Sequence, residues 1–236
     1  MPAPEGTSKL PDQFVVILDR TILHPQGGGQ PNDEGSLTNG TVTFKITGLL
    51  NKEGEVIWHV GTFEPAGSTF AEGSEVSCHV DEQKRRLYAR VHSAGHLLDV
   101  AMSMAGRTDL KPSKGYHFSD GSYVEYIGNV EEKDRKALID KLNENCASLI
   151  ASTPDSMPVF KKVATYDEAN VLLEKAGGVP EYIPKGQSLR VLKLVESDAG
   201  CPCGGTHVSH VKDIVKINVS KIQKKGKNIQ VKYEVN

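Results

Sequence analysis

Two short clusters carry the residue types that bind a borderline-soft metal ion. His92-Ser93-Ala94-Gly95-His96 supplies two imidazoles, and Cys203-Gly204-Gly205-Thr206-His207 supplies a thiolate and a third imidazole. Leu87, Val91, Leu97, Leu98 and Met102 recur at helical spacing around the first cluster, which predicts a helix over 81–104. Histidines four apart on a helix share one face, so both rings can reach a single ion. Cys203 and His207 are also four apart, but the glycines between them predict a tight turn that folds both side chains toward one point. Two clusters with complementary ligands point to one shared Zn2+ joining distant segments. Four protein ligands fill a tetrahedral shell, as in a structural site, whereas hydrolytic zinc usually keeps a position for water; the residues alone admit both. Metalloprotease chemistry is disfavoured, because those helices carry His-Glu-x-x-His and here Ser93 stands in the place of the glutamate base.

The other concentrated signal is Thr21-Ile22-Leu23-His24-Pro25-Gln26-Gly27-Gly28-Gly29-Gln30-Pro31. No Gly-Lys-Ser/Thr follows and the Gly-x-Gly-x-x-Gly order is missing, so neither nucleotide fingerprint is present. Three consecutive glycines permit close approach of backbone to a ligand or to another part of the chain, with a plain turn as the alternative.

The elements that position these residues change character along the chain. Phe14–Leu18, Val42–Thr47, Glu55–Val60 and Glu75–Val80 are strand-like runs separated by Gly, Pro and Asn, such as Thr38-Asn39-Gly40 and Asn51-Lys52-Glu53-Gly54. They predict a small N-terminal β-barrel over residues 1–83. The helix near Asp81 opens a second domain over 84–236. It contains a hairpin turning at Ser119-Asp120-Gly121, a helix over 131–152, and a strand over 159–163. Next come a helix opened by the capping-box pattern Thr165-Tyr166-Asp167-Glu168, a strand over 189–195, the cysteine turn and two final strands. An α+β domain with a mainly antiparallel sheet fits this order. His59, His79, His117 and His210 lie in strand-like contexts and read as structural, while His24 adjoins the glycine run.

Net charge is only −2, but its distribution is uneven: residues 1–82 hold four basic side chains against twelve acidic ones. The stretch from Lys212 to Asn236 has seven lysines against Asp213 and Glu234, an asymmetry that suits a phosphate-binding face or an exposed hairpin protected from edge pairing. Four cysteines do not make a disulfide-dense scaffold, and Cys201 reads as a small buried residue beside Pro202, with a spare ligand or a redox partner of Cys203 as alternatives. No long apolar run suggests a membrane span, and Met1–Gly6 lacks the basic and apolar regions of a signal peptide. The expectation is a soluble cytoplasmic protein with no membrane partner.

Taken together, Thr-x-x-His-Pro-x-Gly-Gly-Gly-Gln from Thr21, His-Ser-Ala-Gly-His-Leu-Leu from His92 and Cys-Gly-Gly-Thr-His-Val from Cys203 resemble two related groups. These are the free-standing alanyl-tRNA editing proteins of the AlaX type, in their medium-length form, and the editing domain of alanyl-tRNA synthetase. The resemblance implies a trans-editing hydrolase that deacylates mischarged tRNA(Ala), chiefly Ser-tRNA(Ala) and secondarily Gly-tRNA(Ala). Such an enzyme answers a real selectivity limit, since a hydrophobic alanine pocket cannot strongly reject a residue that adds a hydroxyl or loses a methyl. It also implies His92, His96, Cys203 and His207 as zinc ligands, and Thr21 as the hydroxyl that recognises serine. Gly28, Gly29 and Gln30 would form a loop closing on the reaction, and Lys114 would contact the terminal adenosine or its phosphate. The expected mechanism has zinc, or water beside it, polarising the ester while loop amides receive the oxyanion. Ser113 stands where the synthetase domains often have glutamine. The alternatives are editing of another mischarged tRNA such as Ser-tRNA(Thr), and a non-catalytic zinc-containing tRNA-binding module.

Overall fold

The computed structural model describes residues 13–52 and 56–236. The turn expected at Asn51–Gly54 and the Glu55 start of the next strand fall partly outside these residues, and Met1–Gly6 wholly so. The chain forms two compact units. Of the described residues, one takes those up to Gly27 and those from Pro31 to Arg86; the other takes Gly28–Gln30 and Leu87–Asn236.

The first unit is a five-stranded sheet built from β1 (Phe14–Ile17), β2 (Gly35–Asn39), β3 (Val42–Lys52), β4 (Val56–Glu64) and β5 (Ser77–Val80). The strand order is β1-β4-β3-β2-β5 and every pairing is antiparallel. Leu23, Leu37, Phe44 and Leu49 form its buried core. Phe44 and Phe63 pack with ring centroids 4.8 Å apart, and Phe63 meets Phe70 edge-on at 5.0 Å. The N-terminal barrel expected over 1–83 is corrected by this order, because among the described residues β1 and β5 are the two open edges. Both edge strands are only four residues long, and an open groove is lined by residues 17–22 and 73–76. The ends of the glycine loop are tied together in this unit. Asp33 donates its amide to His24 O at 2.9 Å, and its buried carboxylate accepts the His24 amide and the Arg85 guanidinium.

Apart from Gly28–Gln30, the second unit begins within α1 (Glu82–Met104), a helix whose residues from Val91 to Met102 are mostly buried. Then follow β6 (Lys111–Tyr116), β7 (Tyr123–Ile127), α2 (Glu132–Ser152), β8 (Phe160–Ala164), α3 (Tyr166–Leu172), β9 (Leu189–Lys193), β10 (Cys201–Pro202), β11 (Ile217–Lys225) and β12 (Asn228–Val235). Two further sheets result, four-stranded β11-β12-β7-β6 and three-stranded β10-β9-β8, again antiparallel throughout. Leu97, Leu98 and Met102 of α1 join Leu142 of α2 and Tyr126, Val231 and Tyr233 of the sheet in one core. Truncating one of these leucines to alanine costs about 2–5 kcal/mol. Asn143 fastens α2 to β11 by accepting the Val219 amide and donating to the Val219 carbonyl. The capping box at Thr165 forms as the sequence predicts, with Glu168 Oε2 accepting the Thr165 amide at 3.0 Å.

Candidate metal centre

Helical periodicity sets His92 and His96 one turn apart on the buried face of α1, with their rings stacked at 5.0 Å. The cysteine turn is fastened opposite them. Arg190 on β9 donates to the carbonyls of Cys203 and Gly205, and Cys203 donates its amide to Arg190 O at 2.9 Å. A ligand atom from each of His92, His96, Cys203 and His207 lies within 4.8 Å of the other three. Cys203 Sγ is 3.5 Å from His92 Nε2 and 3.2 Å from His207 Nε2.

Each histidine has a polar partner at Nδ1, which holds the ring with Nε2 left for a cation. His92 Nδ1 lies 2.8 Å from Gln30 Oε1, His207 Nδ1 lies 3.3 Å from Ser93 Oγ, and His96 Nδ1 lies 3.4 Å from Cys201 Sγ. The residues that hold the imidazoles are themselves tied down. Gln30 is fully buried, accepts the Thr206 amide at 2.8 Å and donates to Thr206 Oγ1 at 2.8 Å. Ser93 Oγ also accepts the Val208 amide at 3.1 Å, so the residue in the metalloprotease glutamate position has a bracing contact here. Cys201, read from sequence as a small buried filler, is instead the sulfur facing His96.

The donor set suits a cation such as zinc. His96 Nε2 is buried with no protein partner. Burial pushes His96 down to about 4 and His207 to about 2, so both rings are neutral at pH 7, the form that ligates metal. Burial raises the Cys203 thiol, opposed by the Gly205 amide and Arg190; a coordinated cation reverses that preference by stabilising the thiolate. Glycine is required where the turn crosses His92, since a Cβ on Gly205 would lie 2.1 Å from His92 Cε1.

The remaining residues singled out from sequence have definite places. Gly28 and Gly29 have φ of 57° and 81°, and Gly29 O accepts the His117 amide at 2.8 Å. Lys114 is exposed on β6. Thr21 belongs to the first unit, where it half-lines the open groove. His59 Nδ1 faces Val16 O at 3.0 Å, leaving His59 Nε2 to accept the Thr21 hydroxyl at 2.9 Å, while Thr21 Oγ1 accepts the Leu23 amide. His117, read as structural, is part of the centre's wall. Its ring stacks on His92 at 4.4 Å, and its Nδ1 donates to Tyr233 Oη at 2.7 Å, which donates on to Val91 O. Its one sequence signal is its place two residues after Gly115. A cavity of about 310 Å³ opens beside His96, lined by Asp99, Ser103, Pro112, Asp198 and Cys201. Among the described residues no helix is long and apolar enough to cross a membrane.

Residues 6–84 match the family model described as tRNA synthetases class II (A). Over 222 residues, 92% of this chain, the sequence is 28% identical to the alanyl-tRNA editing protein AlaX-L of Pyrococcus horikoshii, covering 50% of that protein. Over 204 residues, 86% of the chain, it is 31% identical to the alanine–tRNA ligase of Paraburkholderia xenovorans, covering 22% of it. The ligase of Haloquadratum walsbyi is 27% identical over 211 residues, of which the match covers 21%. The chain thus spans half the length of the editing protein and about a fifth of each ligase. The chain is a relative of the alanyl-tRNA editing proteins and of the alanine–tRNA ligases.

Proposed function

We propose that this chain is a trans-editing deacylase that cleaves the ester of Ser-tRNA(Ala), and secondarily of Gly-tRNA(Ala), with one Zn2+ held by His92, His96, Cys203 and His207. The observation that carries the reading is the convergence of these four side chains, each imidazole braced through its other nitrogen, in a chain related to an alanyl-tRNA editing protein. Zinc at this centre supplies a Lewis acid that polarises the ester or orients the substrate's amino group.

The chain's own residues do the rest. Gln30, Ser93 and Cys201 hold the imidazoles in register, so that no reorganisation is needed during reaction. Gly28 and Gly29 are the backbone donors of the loop for a developing oxyanion, at positions where positive φ bars ordinary side chains. Thr21 has its hydroxyl hydrogen committed to His59 and one lone pair to Leu23, so it meets a serine hydroxyl as an acceptor. Lys114 is available to a phosphate of the tRNA 3′ end.

The test is deacylation of Ser-tRNA(Ala), Gly-tRNA(Ala), Ala-tRNA(Ala) and Ser-tRNA(Thr) by the zinc-loaded protein. Fast release of serine from the alanine tRNA with Ala-tRNA(Ala) spared is expected. Preference for Ser-tRNA(Thr) would make it the editor of another tRNA. Binding without hydrolysis of any ester would leave only the tRNA-binding module.

A further inference from the structure

The metal centre uses one side of the chain where β6 ends, at His117, and the other side carries a different chemistry. His117 turns inward onto His92, whereas its neighbours on either side, Tyr116 at the end of β6 and Phe118 beyond it, stack on each other instead. Their rings are near parallel, with centroids 4.5 Å apart and planes 13° apart. Tyr123, directly opposite Tyr116 in the β6–β7 register, continues the column at 5.4 Å and 15°. None of the three rings is buried.

The register prolongs this row into cations. Tyr123 pairs with Lys232, and Lys232 pairs with Lys221, so residues on one face run aromatic, aromatic, lysine, lysine across all four strands. Two lysines directly opposite destabilise a sheet, and neither enters an ion pair among the described residues. Edge protection accounts for Lys221 on the outer strand β11, but β12 and β7 are interior strands, so it accounts for neither Lys232 nor Tyr123. The adjacent row adds Lys114 opposite Glu125; that carboxylate is already satisfied by Asn228 at 2.7 Å and Gln230 at 3.2 Å. The other face of the same strands is core, with Val124, Tyr126, Ile229, Val231 and Tyr233 buried.

We infer that this open sheet face is a platform for single-stranded RNA, on which unpaired bases extend the column of Phe118, Tyr116 and Tyr123 while phosphates lie over Lys232, Lys221 and Lys114. An unpaired base offers a π-face of any sequence to an aromatic ring, and an ordered row of amines beside the rings matches a phosphate backbone. A duplex hides its base faces and gains only the charge. Assigning the occupant as the single-stranded 3′ end of a tRNA rests on the deacylase reading; the platform itself does not.

The experiment measures binding of a fluorescein-labelled ten-nucleotide single-stranded RNA, its duplex form and deacylated tRNA(Ala) to the full chain, by anisotropy over a series of KCl concentrations. Tyr116→Leu/Tyr123→Leu is expected to weaken the single strand about tenfold or more while leaving the salt slope unchanged, because stacking and not charge is removed. Lys221→Gln/Lys232→Gln is expected to lower the slope by about 1.4, two phosphate contacts' worth for a single strand. Should the tyrosine pair fail to fold, Phe118→Leu at the end of the column carries the same readout. Single-strand affinity unchanged in both the aromatic and the lysine variants, or duplex bound as tightly as single strand with no loss on removing rings, overturns the proposal. Failure of the deacylase reading shows separately, as wild-type protein that binds the oligonucleotide but releases no serine from Ser-tRNA(Ala).

Discussion

Replacing Gln30 by alanine tests whether the glycine loop serves the centre through a side chain as well as through its backbone. Gln30 is fully buried and makes three contacts, to His92 Nδ1, to the Thr206 amide and to Thr206 Oγ1, each at 2.8 Å. Alanine removes the acceptor for two N–H groups, that of buried His92 and that of half-buried Thr206. An orphaned buried donor costs about 1–3 kcal/mol, so a loss of about 2–6 kcal/mol from the unfolding free energy is expected. Removing the partner that orients a ligating histidine weakens metal affinity about 10- to 100-fold. Gln30→Glu keeps an acceptor for both donors and makes His92 a more basic ligand, so it should hold zinc about as tightly as the wild type. Competition with a chromophoric chelator reads the affinity, and urea unfolding of the metal-free protein reads the stability. A Gln30→Ala variant with wild-type zinc affinity and wild-type unfolding would refute the argument that this residue organises the centre.

Three further perturbations address other links. Burial, reinforced by the nearby Asp198 charge and opposed by the Tyr126 hydroxyl, pushes the Asp99 carboxyl up to about 7. In the unfolded chain it ionises near its ordinary value, so the metal-free wild type loses stability as pH rises from about 4 to 7. Asp99→Asn should therefore gain on it across that window and hold a constant advantage above, with a ceiling of about 4 kcal/mol; parallel stability curves for the two proteins would contradict the assignment. Thr21→Val leaves His59 Nε2 without its donor and the Leu23 amide without its acceptor, and should cost about 1–3 kcal/mol as well as narrowing the rate ratio between Ser-tRNA(Ala) and Ala-tRNA(Ala). Thr21→Ser should restore both, and an unchanged ratio in the valine variant would remove Thr21 from selectivity. Gly205→Ala places a Cβ 2.1 Å from His92 Cε1, so zinc content should fall, whereas Gly204→Ala, with open space at that position, should retain it.

Local pattern was the part of the molecule most readable in sequence. The α1 period, the Thr165 capping box and the two ligand clusters are short-range signals, and their elements formed where the periodicity put them. The barrel was overread because strand count is local while closure is not. It depends on whether β1 and β5 pair, and in the sheet order they stand at opposite ends. The partners of the ligating histidines were also out of reach. Gln30 lies 62 residues from His92 and Cys201 lies 105 from His96, and neither distance leaves a periodic trace. Gly28–Gln30 packs as part of the second unit although its neighbours on both sides belong to the first, so a division of the chain at residue 83 removes the side chain that braces His92.

X-ray absorption at the zinc edge of the purified, zinc-loaded full chain, together with its metal content, tests the central claim most directly. One zinc per chain is expected, with a first shell of three nitrogens at about 2.0–2.1 Å and one sulfur at about 2.3 Å, from His92, His96, His207 and Cys203. In Cys203→Ala the sulfur shell should vanish, while in Cys201→Ala it should persist. A wild-type spectrum with no sulfur scatterer, with two sulfurs, or a protein that takes up no stoichiometric zinc would contradict the account.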